Sequence, residues 1–423
     1  MNILFVSPYT PTPIRTRPYN LLRSLARLGH RLTLAALWER DEEQRALREL
    51  EGLGIRVLAR RLTRARVVCN LPAAVLRGQP LQARYCWEPG LAHRVEQAVA
   101  GEQFDLAHVE HLRGVELGRA VQAAGHRHGR TLPVVWDSVD CITTLFERAA
   151  ETSRSLFGRW ITRLELPRTR DYEGQAVRRF DRVLATAQFD AAALGRLAVR
   201  AAQRRSAGGE PVLNPAGAVR WLPNGVDLEY FTPGASPRDP ATVVLTGKMS
   251  YHANVTAAHV LLAEIMPRVW AERPDVRVNI IGSSPTPDIR ALAERFAPRV
   301  TVSGYVADLR PYLQTATLAV APVAYGAGIQ NKVLEAMACE APVVASPQAV
   351  AALAVRPEEQ VLVAEGPAAG AAAIVRLIGD PALRARLGAA GRRYVAQHHD
   401  WNQVARQLQA IYHELVPPTR LPG

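Results

Sequence analysis

Tyr325-Gly326-Ala327-Gly328-Ile329-Gln330-Asn331-Lys332-Val333-Leu334-Glu335-Ala336-Met337-Ala338 is the stretch on which the reading of this chain turns. The β-rich run Thr317–Pro322 precedes it, and a second such run, Pro342–Ala345, follows. Between them a glycine loop leads into a helix predicted over Gln330–Cys339. Strand, glycine loop, helix and strand in that order make a crossover unit of a parallel sheet. The first turn of such a helix offers unpaired backbone N–H groups and the positive end of its dipole, which together attract an anion. Gly326 and Gly328 allow a phosphate close approach to the backbone. Ile329, Val333 and Met337 recur at i, i+4 and i+8 and so face the core, whereas Glu335 lies off that stripe and is free to meet a ligand. A plain tight turn and a solvated helix carboxylate are the ordinary alternatives for the same residues.

The same alternation extends in both directions. Downstream of Pro240, strands are predicted at Thr242–Thr246, Val276–Ile281 and Val300–Ser303, with helices at Ala257–Trp270, Leu309–Leu313, Ala368–Leu377, Pro381–Val395 and Trp401–Leu415. Upstream, strands are predicted at Ile3–Val6, Arg31–Leu37, Leu106–Val109, Val134–Trp136 and Arg182–Thr186. Tyr19–Leu28 reads as a helix stopped by Gly29, and Thr144–Arg179 as one long helix. Residues 201–219 read as a loop or insertion. Leu222-Pro223-Asn224-Gly225-Val226-Asp227 carries a strong turn signal. The expected organisation is an N-terminal Rossmann-like domain over 1–222, a linker over 223–240, a second Rossmann-like domain over 241–398, and a C-terminal helix over 399–423 that docks back on the first domain. In such sheets ligands bind beyond the carboxyl ends of the strands, which places the expected site in a cleft between the domains.

A chain of 423 residues suits two domains better than one core. Apolar residues make up 48% and charged residues 22%, which excludes disordered and fibrous classes. Cys69, Cys86, Cys141 and Cys339 are far apart, so neither a disulfide scaffold nor a cysteine-rich zinc site is expected. No metal site is expected from His108 and His111 either, because no third ligand accompanies them. The opening Met1-Asn2-Ile3-Leu4-Phe5-Val6 lacks a basic leader and a long apolar core, so no signal peptide is expected. No apolar run approaches the roughly 18 residues of a membrane span. The expected compartment is the cytoplasm, with a peripheral position on the inner face of the cell membrane left open.

Net charge is +13, and nearly all of the excess falls in residues 1–210, which hold 33 arginines against 22 acidic residues. A basic half attracts anions such as acidic lipid headgroups or phosphorylated substrates, although dispersed arginines also arise from compositional bias. The densest cluster, Arg56, Arg60, Arg61, Arg64 and Arg66, is interleaved with apolar residues in a way that suits an anionic membrane surface. Nucleic acid is not an expected partner, because aromatics are only 6% and no recognition motif is present. Of the 52 basic residues only Lys248 and Lys332 are lysines. Both stand near glycines where a helix is approached, where a compact ammonium suits a phosphate.

Lys248 follows Gly247 at a strand end, placed to neutralise a diphosphate leaving group. Gly282-Ser283-Ser284 and Gly304-Tyr305 are further strand-end loops that frame a base or ribose, or only turn. In the first half, His108, Glu110 and His111 end one strand, and Asp137 and Asp140 end another. Either group is placed to handle an acceptor hydroxyl. No GxGxxG follows the first strand, which counts against a dinucleotide-dependent dehydrogenase, and no Walker A sequence is present.

Three segments resemble a known family. Leu222-Pro223-Asn224-Gly225-Val226-Asp227 with Phe231-Thr232-Pro233 is similar to the interdomain signature of glycosyltransferase family 4. Gly328 through Ala338 resembles its donor-binding motif, followed by Pro342-Val343-Val344-Ala345-Ser346, and Trp401 to Tyr412 resembles its closing helix. Asp137-Ser138-Val139-Asp140 and the 326–332 loop are similar in detail to sugar transferases of exopolysaccharide gene clusters. The likeness is close over the second half and loose over the first.

The resemblance implies a GT-B fold: α/β, with two Rossmann-like doubly wound domains. It implies a retaining, metal-independent transfer that uses no cofactor. The donor substrate would be a nucleotide-diphosphate sugar held on the second domain. The acceptor, a glycan or lipid-linked intermediate, would lie on the first. Glu335 matches the second glutamate of the family's paired-glutamate motif and is implied to bind ribose hydroxyls. Lys248 matches the basic residue that stabilises the diphosphate. The implied donor set is Gly247, Gly282, Gly304, Tyr305, Gly326, Ala327, Gly328, Ile329 and Glu335. Lys248, Lys332 and Glu110 are the catalytic candidates, and Arg15, Arg17, His111, Asp137 and Asp140 lie on the acceptor side.

Several positions depart from the family pattern. Ala327 stands where the first glutamate of the pair falls, so that contact with the donor sugar is missing. Ala253 lies near the place of a second basic residue, for which Lys332 is the candidate substitute. The family's glycine pair after the first strand is replaced by Pro13-Ile14-Arg15-Thr16-Arg17, whose arginines can meet an anionic acceptor. Glu110 aligns with the family's histidine. Rival readings are a non-catalytic sugar-nucleotide-binding subunit, a GT-B sugar-nucleotide epimerase, and a phosphorylase.

Overall fold

The computed structural model describes residues 1–152, 156–205, 219–325 and 328–416. It divides into two compact units, Met1–Pro223 with Val404–Gly423, and Asn224–Gln403.

Among the described residues the first unit contains seven parallel strands: β1 (Asn2–Ser7), β2 (Arg31–Trp38), β3 (Arg56–Arg61), β4 (Leu106–Glu110), β5 (Val134–Val139), β6 (Arg182–Ala185) and β7 (Val219–Trp221). They are ordered β3-β2-β1-β4-β5-β6-β7, so the strand order reverses between β1 and β4. Ile3, Leu4, Phe5 and Val6 are all fully buried, as expected of a strand covered on both faces. The first helix, Thr16–Arg27, buries Leu21, Leu22 and Leu25, and Gly29 ends it with φ +82°.

The second unit repeats the plan with six parallel strands among the described residues: β8 (Thr242–Thr246), β9 (Arg277–Ile281), β10 (Val300–Val302), β11 (Leu318–Ala321), β12 (Val343–Ala345) and β13 (Leu362–Val363). Their order is β10-β9-β8-β11-β12-β13, with the reversal between β8 and β11. The helices cover two separate apolar clusters, one against each face.

Several expectations change. Arg56–Arg61 is an edge strand, and the basic run continues into a helix, Arg64–Leu76. It is therefore not one amphipathic surface segment. The long helix expected at Thr144–Arg179 is two, Ile142–Thr152 and Leu156–Arg179. The helix expected at Ala257–Trp270 starts at His252 and passes through a π turn, Val260–Ile265, before Met266–Glu272. Pro267 has no N–H to give to an α ladder, and the looser turn absorbs that loss. The helix Gln188–Arg205 runs into the stretch expected to be a loop, and residues 206–218 of that stretch lie outside the described residues.

Asn224-Gly225-Val226 is extended rather than a turn. Val226 N–H donates to His399 O at 2.6 Å, and His399 Nδ1 lies 2.7 Å from Asn224 O. A Cβ on Gly225 would stand 2.7 Å from the Trp401 ring, so the glycine serves close approach there. Residues 224–240 lie within the second unit, and the first unit resumes at Val404.

The last helix, Trp401–Leu415, buries Val404, Ala405, Leu408 and Tyr412. Its Glu414 pairs with Arg182 and Arg220, and Tyr412 Oη meets His108 Nδ1 on β4 at 2.8 Å, all within the first unit. Among the described residues no helix is long and apolar enough to cross a membrane.

Candidate functional site

Each sheet reverses its strand order once, and ligands of doubly wound folds sit in the crevice at that point. In the second unit the reversal brings the end of β8, carrying Gly247 and Lys248, beside the end of β11 and the loop that leads to the helix Asn331–Ala338. The backbone there is packed too tightly for side chains. Gly282 has φ +154°, and a Cβ on it would lie 1.7 Å from Gly247 O. Gly247 has φ +145°, and its own Cβ would meet Asn254 Nδ2 at 2.7 Å. Met249 N–H donates to Ser283 O at 2.8 Å, which ties the two strand-end loops together.

Asn254 organises this pole, and sequence reasoning passed it over. Its Nδ2 donates to Lys248 O at 3.0 Å, and its Oδ1 accepts from Lys332 Nζ at 2.5 Å. The Lys332 ammonium is thereby tied to the residue that follows Ala253 in the chain, and Ala253 itself is buried. Lys248 is exposed. Burial pushes the Lys332 ammonium down to about 8, against the opposing influence of Glu335. Burial pushes Glu335 up to about 7, which Lys332 partly offsets. The Glu335 carboxyl has no hydrogen-bond partner among the described residues, so it is available to a ligand hydroxyl.

The loop itself is anchored by Tyr325. Its hydroxyl lies 3.1 Å from His252 Nδ1 and 3.2 Å from Thr256 Oγ1, and its ring stacks on His252 at 5.3 Å. Gly328 has φ +66°, and Ile329 is buried. Gly326 and Ala327 lie outside the described residues. Gly304 has φ +73°, and Tyr305 beyond it is 71% exposed.

The reversal of the first sheet brings the ends of β1 and β4 together, and the residues there are buried. Ser7 Oγ donates to Glu110 Oε2 at 3.1 Å. Burial pushes Glu110 up to about 8, with the nearby Asp137 adding to the rise and hydrogen bonds from Tyr9 and Ser7 opposing it. Glu110 therefore carries a proton at neutral pH. Asp137 behaves in the opposite way. Burial would raise it, but the Arg17 guanidinium and His108 outweigh that and hold it well below the usual carboxylate range. Arg17 Nε donates to Asp137 Oδ2 at 2.7 Å, and Nη1 donates to Pro223 O at 3.1 Å.

These contacts correct the acceptor-side expectations. Arg17 is 4% exposed and Asp137 fully buried, so each serves the other rather than an incoming anion or hydroxyl. Arg15 is half-exposed but already pairs with Glu43 and lies over the Tyr9 ring. His111 sits at φ +64°, and its Nδ1 accepts from Arg113 N–H at 3.2 Å. Burial, with Arg113 nearby, holds His111 neutral by pushing it down to about 3. Asp140 accepts from Thr186 Oγ1 at 3.2 Å, and burial raises it. Tyr9 and Ser7 were missed because nothing in their spacing marks them, and only the β1–β4 pairing makes them neighbours of Glu110.

Residues 240–380 match the family model described as glycosyl transferases group 1. The second unit is a group 1 glycosyltransferase domain. Over 203 residues the chain is 29% identical to phosphatidyl-myo-inositol mannosyltransferase of Mycobacterium tuberculosis, covering 45% of this chain and 53% of that one. It is 30% identical over 210 residues to a GDP-mannose-dependent monoacylated α-(1-6)-phosphatidylinositol monomannoside mannosyltransferase of Corynebacterium glutamicum, covering 45% and 55%. The chain thus spans about half the length of the curated relatives it matches. Among solved structures, HepE of Anabaena aligns over 98% of this chain and 100% of its own at TM-score 0.67 and 15% identity. Sucrose-phosphate synthase of Thermosynechococcus elongatus aligns over 98% and 99% at TM-score 0.66 and 18% identity. The fold of the group 1 domain and its companion unit is α/β, of the GT-B type.

Proposed function

We propose that the chain transfers a sugar from a nucleotide-diphosphate donor to a glycan or lipid-linked acceptor, with retention at the anomeric carbon and without a metal. The observation that carries this reading is the Gly247–Gly282 backbone packing beside Lys332 and Glu335, at the reversal of the group 1 domain. Glycine backbone admits a diphosphate closely, and cations beside it stabilise the charge that develops on the leaving group. Lys332 is half-buried, where such stabilisation is worth more than in water, and Lys248 adds a second, exposed charge. Glu335, with its proton balanced near neutrality, receives or gives a hydrogen bond to ribose hydroxyls.

The relatives' names make GDP-mannose the first donor to test, and the complex of HepE with UDP and glucose makes UDP-glucose the second. The acceptor in this reading is built into exopolysaccharide and met at the inner face of the membrane, where the arginine-rich first unit is drawn to anionic headgroups. Glu110, protonated at neutral pH and next to Ser7 and Tyr9, is the acceptor-side group able to donate a hydrogen bond.

Ala327 supports a second reading, a non-catalytic sugar-nucleotide-binding subunit, since no carboxylate stands at the first position of the paired motif. A thermal-shift series with GDP, UDP, GDP-mannose and UDP-glucose, followed by a radiolabelled transfer assay, separates the two. Stabilisation by one nucleotide sugar together with transfer or slow hydrolysis supports the enzyme. Stabilisation without any turnover supports the binding subunit. A donor consumed without acceptor and converted to an isomer indicates an epimerase.

A further inference from the structure

The first unit holds a cavity of about 390 Å³ away from the β1–β4 reversal. Its walls come from the start of the helix Ile142–Thr152, the long helix Leu156–Arg179 and the helix Gln188–Arg205. Among the described residues Arg170, Arg196 and Arg200 line it, with Glu147 as the one acidic residue. Arg170 Nη2 is already bonded to Glu147 Oε1 at 2.7 Å. Arg196 and Arg200 have no carboxylate partner among the described residues. They stand at i and i+4 on one helix, a spacing at which like charges repel and cost helix stability. Leu197 and Ala193, both buried, form apolar floor beside them. Both arginines are exposed at the mouth of the cavity, so their guanidiniums are open to a ligand from solvent.

We propose that this cavity is an anion-binding site for a phosphate-bearing ligand. Two planar guanidiniums with their N–H groups free can each grip a phosphate in a two-pronged manner, and Thr144 adds a hydroxyl at the same wall. Once Arg170 is matched with Glu147, the described lining keeps two uncompensated positive charges, which suits a dianion better than a monocarboxylate. Cys141 takes no part in the chemistry, because burial beside Glu173 raises its thiol far out of the reactive range. The ligand phosphate has two sources, a soluble phosphate ester or a phospholipid headgroup, and the chemistry is the same for both. The site is independent of the proposed donor site, which belongs to the other unit.

The test is calorimetric titration of the full chain with pyrophosphate and with glycerol phosphate at low salt. Vesicles of phosphatidylglycerol and of phosphatidylcholine are compared by co-sedimentation. Wild type is set beside Arg196→Ala/Arg200→Ala and Arg196→Lys/Arg200→Lys, and GDP or UDP stabilisation of each variant reports whether the other unit is intact. Binding of a soluble phosphate, weakened tenfold or more in the alanine variant and less in the lysine variant, supports the site with a soluble ligand. Loss of phosphatidylglycerol binding alone assigns the headgroup. Equal affinity of wild type and the alanine variant for all probes, or no binding by either, overturns the proposal.

Discussion

Lys332 Nζ donates to Asn254 Oδ1 while Asn254 Nδ2 donates to Lys248 O. One amide thus fixes the only half-buried ammonium of the second unit and the strand-end loop that carries the exposed one. An ammonium placed in this way meets a diphosphate without first having to be ordered, which is the gain of preorganisation. Lys332→Ala is expected to weaken binding of a nucleotide diphosphate by about tenfold or more, as loss of a charge-assisted contact does. Asn254→Ala, which leaves the charge but not its support, is expected to weaken it by less. Isothermal titration of both variants checks the order, and equal losses would mean that Asn254 binds the ligand directly.

The proton balance of Lys332 gives a pH dependence. Its ammonium is pushed down to about 8, so above that pH the charge that meets the diphosphate is lost. Donor affinity is expected to fall by up to about tenfold per unit above 8, the limiting slope for one proton, while a change near pH 7 belongs to Glu335, which is pushed up to about 7. Lys332→Ala should abolish that fall. The sign for stability without ligand is the reverse: burial disfavours the charged form, so this penalty is lifted as pH rises from about 8 towards the ordinary lysine value. Titrations at four pH values in one buffer series measure the slope.

Glu110 is buried and pushed up to about 8. A carboxyl whose folded value is raised contributes stability that is present below its ordinary value of 4.5 and is lost as pH rises through 8. Glu110→Gln keeps an acceptor for Ser7 Oγ and removes the ionisation. It is expected to raise the thermal midpoint at pH 8 by about 2–4 °C, the change made by about 1 kcal/mol in a unit of this size. At pH 5 the two proteins should melt together. A midpoint difference that does not vary with pH would show that the carboxyl does not titrate in this range.

Gly282→Ala places a Cβ against the Gly247 carbonyl at a backbone angle that L-residues rarely adopt. The expected cost is about 3 kcal/mol or more, since backbone cannot withdraw as a side-chain tip can. Chemical denaturation should show the second unit unfolding early while the first keeps its transition. Gly129→Ala, also at positive φ but with nothing within 4 Å, should cost much less and serves as the control.

Tyr412→Phe removes the hydroxyl that meets His108 Nδ1 inside the first unit. Burial holds His108 below its ordinary value, so the imidazole is neutral and needs that partner. A loss of about 1–3 kcal/mol is expected for leaving a buried polar atom unsatisfied. Denaturant titration measures it, and no change would mean that water replaces the hydroxyl.

The strand pattern, the doubling of the α/β plan and the glycine-rich approach to the helix Asn331–Ala338 were legible in the chain, because apolar runs, glycines and helix stops act over a few residues. The helical boundaries were less so. The break between Ile142–Thr152 and Leu156–Arg179, and the π turn before Pro267, depend on what each helix packs against. Pro-Asn-Gly looked like a turn, yet Gly225 is there to let Trp401 close on the backbone. Lys332 and Glu335 were singled out because they share one local motif, and Gly247, Lys248, Gly282 and Gly304 because each follows a predicted strand. Asn254 was missed because its partners are 6 and 78 residues away in sequence.

What the sequence by itself determined is the class of fold and the positions of Lys248, Lys332 and Glu335, since periodicity and glycine placement are local properties read without neighbours. What only the tertiary structure decided is which ionisable groups are free. Arg17 and Asp137 are 120 residues apart in the chain and 2.7 Å apart in the fold, so two residues that read as acceptor contacts neutralise one another. Glu110 keeps its proton for a related reason. Burial withholds water from its carboxylate, and the Arg17 guanidinium, bonded to Asp137, lowers it by less than burial raises it.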